Sequence, residues 1–271
     1  MVARAHQANG VIRVGIGGWV YAPWRGVFYP KGLPQARELA HASRHLTSIE
    51  INGTFYGSQK PESFRRWAEE TPDNFVFSLK GPRFATHRRV LAEAGSSIER
   101  FLASGVLELK SKLGPILWQF APTKTFEADD FAAFLALLPQ RLDGRALRHA
   151  VEVRHESFLS PAFVALLRKH SVAIATIDSD KHPLIADVTS DFVYARLQRT
   201  SEKIDTGYAP AILDTWASRA QAWADGGAPN DLTTICEVPR SKVKRDIFIY
   251  MIAGAKERAP AAAMALIERL K

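Results

Sequence analysis

Apolar residues in this chain come in eight short runs, each bounded by turn-forming or charged residues and followed by a stretch long enough to cross back over a sheet. The runs are Val11–Ile16, Thr47–Ile51, Phe75–Leu79, Ile116–Phe120, Ala150–Val153, Val172–Ile177, Phe192–Leu197 and Ile247–Ile252. Several are rich in β-branched residues with little polar alternation, the pattern of strands buried on both faces of a parallel sheet. Between them the apolar spacing turns helical. Predicted helices are Gln35–Arg44 after Pro34, Glu62–Glu70 after Pro61, Ser97–Lys112 ending at Gly114, and Phe126–Leu138 ending at Pro139. Pro161–Lys169, Pro210–Ala224 and Pro260–Leu270 each open on a proline, whose missing N–H has no partner in the first turn of a helix anyway. Only Asp178–Asp191 breaks the alternation: it holds Pro183, several aspartates and no apolar stripe, which predicts an irregular sixth crossover.

Eight strand–crossover units in 271 residues predict one (β/α)8 barrel over residues 11–271, since such barrels take about 250 residues. Residues 1–10 are expected to be loosely attached. A doubly wound open sheet is the alternative, but eight strands followed by a final helix favour closure.

Composition narrows the setting. Hydrophobic residues make up 46% and charged residues 24%, so the chain can bury a sizeable core. Cys236 is the single cysteine, which excludes an intrachain disulfide and suits a reducing compartment. The first ten residues lack the apolar stretch of a secretory signal, and no apolar run approaches the roughly 20 residues that span a bilayer. The expectation is a cytoplasmic protein. A formal charge of +8 favours anionic partners.

In a parallel barrel, chemistry gathers at the carboxyl ends of the strands, where the following loops converge on one mouth. That places Trp19 after strand one; Glu50, Asn52, Thr54 and Tyr56 around the end of strand two; Lys80 and His87 after strand three; and Gln119 on strand four. Glu152, Arg154 and His155 end strand five, Asp178 ends strand six, and Arg196 and Arg199 belong to strand seven and its loop.

Gly15-Ile-Gly-Gly-Trp-Val-Tyr21 with Trp24 and Phe28-Tyr-Pro30, Glu50-Ile-Asn-Gly-Thr-Phe-Tyr56, Lys80 with Thr86-His87, Leu113-Gly-Pro-Ile-Leu-Trp-Gln119 and Glu152-Val-Arg-His155 together resemble the YecE-like family, a domain of unknown function. The resemblance runs along essentially the whole chain and implies a TIM barrel without implying an activity. It also implies His-Gly beyond the arginine of strand seven, and an aromatic residue with paired asparagines at the end of strand eight. This chain instead carries Gln198-Arg199 and Met251-Ile-Ala-Gly-Ala-Lys256.

Glu50 and Glu152 stand out because a carboxylate within an apolar run is costly to bury without partners. Two carboxylates facing across a mouth could serve as acid and base, and their separation would distinguish retaining from inverting hydrolysis of a sugar. The structural alternative for Glu50 is an ion pair with Lys80 or Arg196. Lys80 is either that counter-ion or, with a lowered pKa, a nucleophile or electrophile. His87, His155 and Asp178 complete the candidate proton-handling groups. No His-x-His or His-Glu-x-x-His spacing supports a metal site, and the sequence names no cofactor. Gly15-Ile-Gly-Gly-Trp-Val20 lacks the third glycine of a dinucleotide fingerprint. The basic run Arg240–Arg245 precedes strand eight and so belongs to the barrel's opposite end.

Arg196, Arg199, Gly254, Lys256 and Arg258 suggest an anion site in the loops after strands seven and eight, next to the start of the last helix. The aromatics Trp19, Tyr21, Trp24, Phe28, Tyr29, Phe55 and Tyr56 form either a satellite core or stacking platforms at the mouth. The leading expectation is an enzyme acting on an anionic or phosphorylated small molecule through carboxylate acid–base chemistry, with Lys80, Arg154 and Arg196 stabilising charge. The alternatives are a nucleic-acid-binding or nuclease-like barrel and a non-catalytic binding protein.

Overall fold

The computed structural model describes residues 10–238 and 243–271. Among them eight parallel strands close into a barrel: β1 Ile12–Gly17, β2 Ser48–Ile51, β3 Val76–Lys80, β4 Leu113–Gln119, β5 His149–Glu152, β6 Ala173–Asp178, β7 Phe192–Leu197 and β8 Asp246–Met251. Each strand lies beside its neighbours in sequence, and β8 closes on β1 in register from Ile12 opposite Ile247 to Ile16 opposite Met251. Residues 1–9 and 239–242 lie outside the described residues, and with them most of the expected loose amino terminus and half of the basic run.

The weak alternation along the strands has a simple cause: both faces are apolar but belong to different cores. Val14, Ile16, Ile49, Ile51, Phe77 and Leu79 face the surrounding helices in one large cluster. Leu117, Ala150, Phe192, Tyr194, Phe248 and Tyr250 fill the interior in another. The interior is layered, as the period-2 geometry of strands requires. Phe192 and Phe248 meet edge to face at 6.0 Å at the amino-terminal end. One step up, Tyr194 and Tyr250 pack at 5.2 Å, and the Tyr250 hydroxyl is hydrogen-bonded to Ser48 Oγ at 2.7 Å and Ser78 Oγ at 2.6 Å. The charged layer lies above them. Truncating such a buried ring to alanine costs about 3–5 kcal/mol, so these two layers are a large part of what keeps the barrel filled.

The helices are α1 Glu38–His45, α2 Pro61–Glu70, α3 Gly95–Leu102, α4 Ala128–Ala136, α5 Pro161–His170, α6 Pro210–Ala224 and α7 Ala259–Arg269. One expectation is corrected. The stretch 97–112 is not a single helix: α3 ends at Leu102 and a 3-10 segment runs over Val106–Lys112. Gly105, at φ +100°, turns the chain between them in a left-handed conformation open to few other residues, and a β-carbon there would meet Pro61 at 2.7 Å. A short hairpin that periodicity does not reveal, Arg141–Leu142 with Arg145–Ala146, turns at Asp143-Gly144, where both residues have positive φ.

The sixth crossover carries no helix, as its composition predicts. Its buried residues Ile185, Ala186 and Val188 are held by hydrogen bonds instead. Thr189 Oγ1 donates to the Val172 carbonyl at 2.7 Å, and the Asp187 carboxylate accepts the backbone N–H groups of Ile235 and Cys236, each at 2.8 Å. Leu232 and Ile235, from the long connection between α6 and β8, pack against the outer core. No helix of the described residues is long and apolar enough to cross a membrane.

Candidate functional site

Glu50, Lys80, Gln119, Glu152 and Arg196 each lie at or next to the last residue of their strand with their side chains inward, and the structure joins them into one network. Arg196 is its centre and is only 2% exposed. Its Nε and Nη2 donate to the two oxygens of Glu50 at 3.1 and 3.0 Å, while Nη1 donates to Glu152 Oε2 and to Gln119 Oε1, the latter at 3.2 Å. Glu50 also accepts the Tyr194 hydroxyl at 2.7 Å, and Glu152 accepts Arg154 Nε at 2.7 Å and Nη2 at 2.6 Å. Both carboxylates are fully buried.

This wiring settles their electrostatics. Burial alone would push Glu152 up, but Arg196, Arg154 and Lys80 outweigh it and hold the carboxylate below its ordinary pKa. Arg196 suffers the same desolvation and is nonetheless driven upward by Glu152 and Glu50. Lys80 responds differently. Its Nζ donates to the neutral Gln119 Oε1 at 2.9 Å and sits 4.2 Å over the Phe55 ring. Burial first, then repulsion from Arg196, lowers its pKa to about 8 against the weaker pull of Glu50 and Glu152. Thr54 Oγ1, bonded to the Lys80 carbonyl at 2.7 Å, ties the loop after β2 to β3 at this point.

The other candidates lie around or away from this centre. Asp178 accepts the Tyr208 hydroxyl at 3.1 Å and faces Arg199 Nη1 at 3.5 Å, a second cluster on the β6–β7 side. Asn52 is half-buried beyond β2, Tyr56 is 63% exposed, and His87 stands on the rim with its ring 5.5 Å from Phe55. Burial and the nearby Arg83, Arg154 and Lys80 lower the His87 pKa. His155 is turned to its own loop, where Nδ1 meets Ser157 Oγ at 2.9 Å and caps a 3-10 turn. Trp19 is not brought to the mouth: its ring lies edge-on to Trp67 at 5.2 Å and to Phe77 at 6.4 Å, between sheet and α2. The satellite-core expectation describes Trp24 and Tyr29, both buried, more closely than a stacking platform would.

The cations expected to form an anion site after strands seven and eight are each engaged elsewhere. Arg196 is locked to two carboxylates, and Arg199 lies between Asp178 and Asp180. Lys256 sits 4.4 Å over Tyr21, and Arg258 reaches the Glu202 carbonyl and Asp205. Gly254, at φ +64°, packs against Thr200, whose hydroxyl bonds the Ala253 and Ala255 carbonyls. Among the described residues no group of three or more His, Cys, Asp or Glu side chains is placed to hold a metal ion.

Sequence reasoning passed over Tyr194, Ser48, Ser78 and Tyr250, although three of them sit two residues before Arg196, Glu50 and Lys80 and therefore on the same face one layer deeper. It also passed over Phe55 as the ring beneath Lys80, and His182, which feels both Arg154 and Glu152 from the irregular crossover.

An eight-stranded parallel barrel with a charged network at the carboxyl ends of its strands defines a TIM-barrel protein. Residues 13–271 match the family described as "Protein of unknown function DUF72", and the chain belongs to that family. It is 30% identical to the UPF0759 protein YecE of Escherichia coli K12 over 153 residues, and 28% identical to the UPF0759 protein YunF of Bacillus subtilis over 158 residues. These matches cover 55% and 56% of this chain and 51% and 54% of those proteins, about half the length of each. A crystal structure of a DUF72 family protein from Thermotoga maritima superposes with a TM-score of 0.73 at 20% identity, covering 96% of this chain and 99% of that one. One from Enterococcus faecalis gives 0.67 at 15% identity over 96% and 95%. Similarity at that level of identity speaks for the fold alone.

Proposed function

We propose that this protein is an enzyme acting on a small anionic molecule at the carboxyl-terminal mouth of the barrel, with Lys80 as the proton-accepting group. The observation that carries the reading is the Lys80 amine, buried at the floor of the mouth, hydrogen-bonded to a neutral amide and poised with a pKa of about 8. A lysine so placed holds a sizeable neutral fraction near pH 7.5 and can take a proton there, where an ordinary lysine cannot. Arg154, partly exposed above Glu152, supplies positive charge to an anionic substrate. Acid–base exchange between Glu50 and Glu152, the chemistry expected from sequence, gives way in this reading: Arg196 binds both carboxylates, and Glu152 is held ionised. Their role becomes to fix Arg196 and set the field around Lys80.

The test is a thermal-shift screen of carboxylated and phosphorylated metabolites, followed by turnover assays on the hits. A ligand at a hundred times its Kd adds about 2.7 kcal/mol of stability, a readily measured shift. Lys80→Met should still bind a hit but lose turnover, and wild-type kcat should rise with pH through about 8. Unchanged turnover in Lys80→Met overturns the assignment.

A nucleic-acid reading draws on one further observation. The rings of Tyr56 and Phe84 are exposed near a cavity of about 310 Å³ lined by Arg88 and Arg100 among others. Binding of single-stranded oligonucleotides with a steep salt dependence, lost in Tyr56→Ala/Phe84→Ala, would favour it over the small-molecule reading.

A further inference from the structure

At the end of the barrel opposite the mouth, the strands begin around a second cavity, of about 190 Å³. Arg13 of β1, Arg145 of the short hairpin and Arg148 just before β5 line it, together with Asp246, the first residue of β8. The inward alternation that puts Phe248 in the lower interior layer also points Arg13 there, and its guanidinium lies 5.7 Å over the Phe248 ring. Arg148 lies 5.5 Å over Phe192. The cavity is therefore floored by the Phe248 ring and walled by three guanidinium groups, one of which also covers Phe192.

The pairing within it is incomplete. Asp246 accepts Arg148 Nη1 at 2.9 Å and the Val11 N–H at 3.2 Å. Arg148 Nε and Nη2 are buried without a hydrogen-bond partner, although the side chain is only 9% exposed. Buried charged donors left unsatisfied are costly, and guanidinium groups do not escape by losing their proton. Burial lowers the pKa of Arg13, which Arg148 also repels, and burial lowers that of Arg145. Among the described residues lining the cavity Asp246 is the only carboxylate. What such a cluster lacks is a compact anion with several acceptor oxygens, which planar guanidinium forks bind in paired hydrogen bonds. The volume equals that of about six waters at roughly 30 Å³ each, enough for a tetrahedral oxyanion.

We propose that this cavity is a phosphate-binding site, formed by Arg13, Arg145 and Arg148, that takes inorganic phosphate or the terminal phosphate of a small monoester. The aromatic layers of Phe192, Phe248, Tyr194 and Tyr250 separate it from the mouth, so it acts independently of Lys80.

Isothermal titration and thermal denaturation with inorganic phosphate, against chloride at matched ionic strength, test the site on the full chain. Phosphate should raise the Tm beyond chloride. Arg145→Gln, which leaves the Arg148–Asp246 pair in place, should weaken phosphate binding about tenfold to a hundredfold. Arg148→Met/Asp246→Asn, which removes the pair without stranding either charge, should do the same, and Lys80→Met should not. Glycerol 3-phosphate distinguishes the two sources: tighter binding than inorganic phosphate identifies a monoester ligand, and equal or weaker binding identifies the free anion. A phosphate effect no larger than that of chloride, or one undiminished in both arginine variants, overturns the site.

Discussion

Replacing Arg196 by methionine tests the central network most directly. The side chain keeps its length and apolar stem but loses every bond to Glu50, Glu152 and Gln119. At 3.0 Å and an effective dielectric of about 20, the charge interaction with Glu50 is worth about 5 kcal/mol before desolvation. Removing one partner of a buried pair costs about 3–5 kcal/mol once relaxation is included. At about 2–4 °C per kcal/mol for a domain of this size, that means a Tm lower by about 10 °C. The loss should be uneven. Glu152 keeps Arg154, whereas Glu50 keeps only the neutral Tyr194 hydroxyl and the more distant Lys80. Adding Glu50→Gln to Arg196→Met should therefore recover about 2 kcal/mol, a coupling typical of contacting residues, and adding Glu152→Gln should recover less. Urea unfolding at pH 7, followed by tryptophan fluorescence and far-UV circular dichroism, measures all four proteins. A loss below about 1 kcal/mol, or equal rescue by the two glutamines, would refute the assignment of Glu50 to Arg196.

Further outcomes follow from other sites. His149 is buried, accepts Trp118 Nε1–H at 3.1 Å and is pushed down to about 4 by burial. Because its folded pKa lies below its unfolded value, its contribution is fully present above pH 6.5 and is lost as pH falls through about 4. His149→Gln should remove about 3 kcal/mol of acid sensitivity across that window, read from urea midpoints at pH 7, 5.5 and 4. Lys80 acts at the other end of the scale. The unfolded chain holds this proton up to about 10.5 and the folded chain releases it near 8, so stability rises with pH between them. The same denaturation series from pH 7.5 to 10.5 should show that rise in the wild type and its absence in Lys80→Met. Finally, a β-carbon on Gly254 would meet Thr200 atoms at 2.6–2.8 Å at φ +64°, whereas one on Gly144, at φ +79°, meets nothing within 4 Å. Gly254→Ala should cost about 2–3 kcal/mol and Gly144→Ala only about 1 kcal/mol, measured by the same urea titrations.

The strands were legible in the sequence because their apolar runs end where the barrel ends. Glu50, Lys80, Gln119, Glu152 and Arg196 could be assigned to one mouth because each closes such a run. What strand position does not encode is pairing across the barrel. Nothing local shows that Arg196 takes both glutamates and leaves Lys80 to an amide and a ring. Ring direction was equally hidden: Trp19 leaves β1 at the mouth, and only its packing against Trp67 and Phe77 draws it outward. His182 was out of reach because an irregular crossover has no periodicity from which to project a side chain. The break at Gly105 was missed because apolar residues continue with helical spacing on both sides of it.

The helix-free sixth crossover binds the evolutionary fate of two distant segments together. Asp187 grips the backbone of Ile235 and Cys236, and Arg168 spans both segments by donating to the Val188 and Glu237 carbonyls. The wall that a sixth helix would otherwise build is thus shared between residues nearly fifty positions apart in sequence. Neither loop is then free to drift in length alone, unlike an ordinary surface loop. A lineage that lengthens the first must trim or re-anchor the second, so insertions and deletions in the two should be inherited as a matched set, with Asp187 lost wherever a regular helix returns.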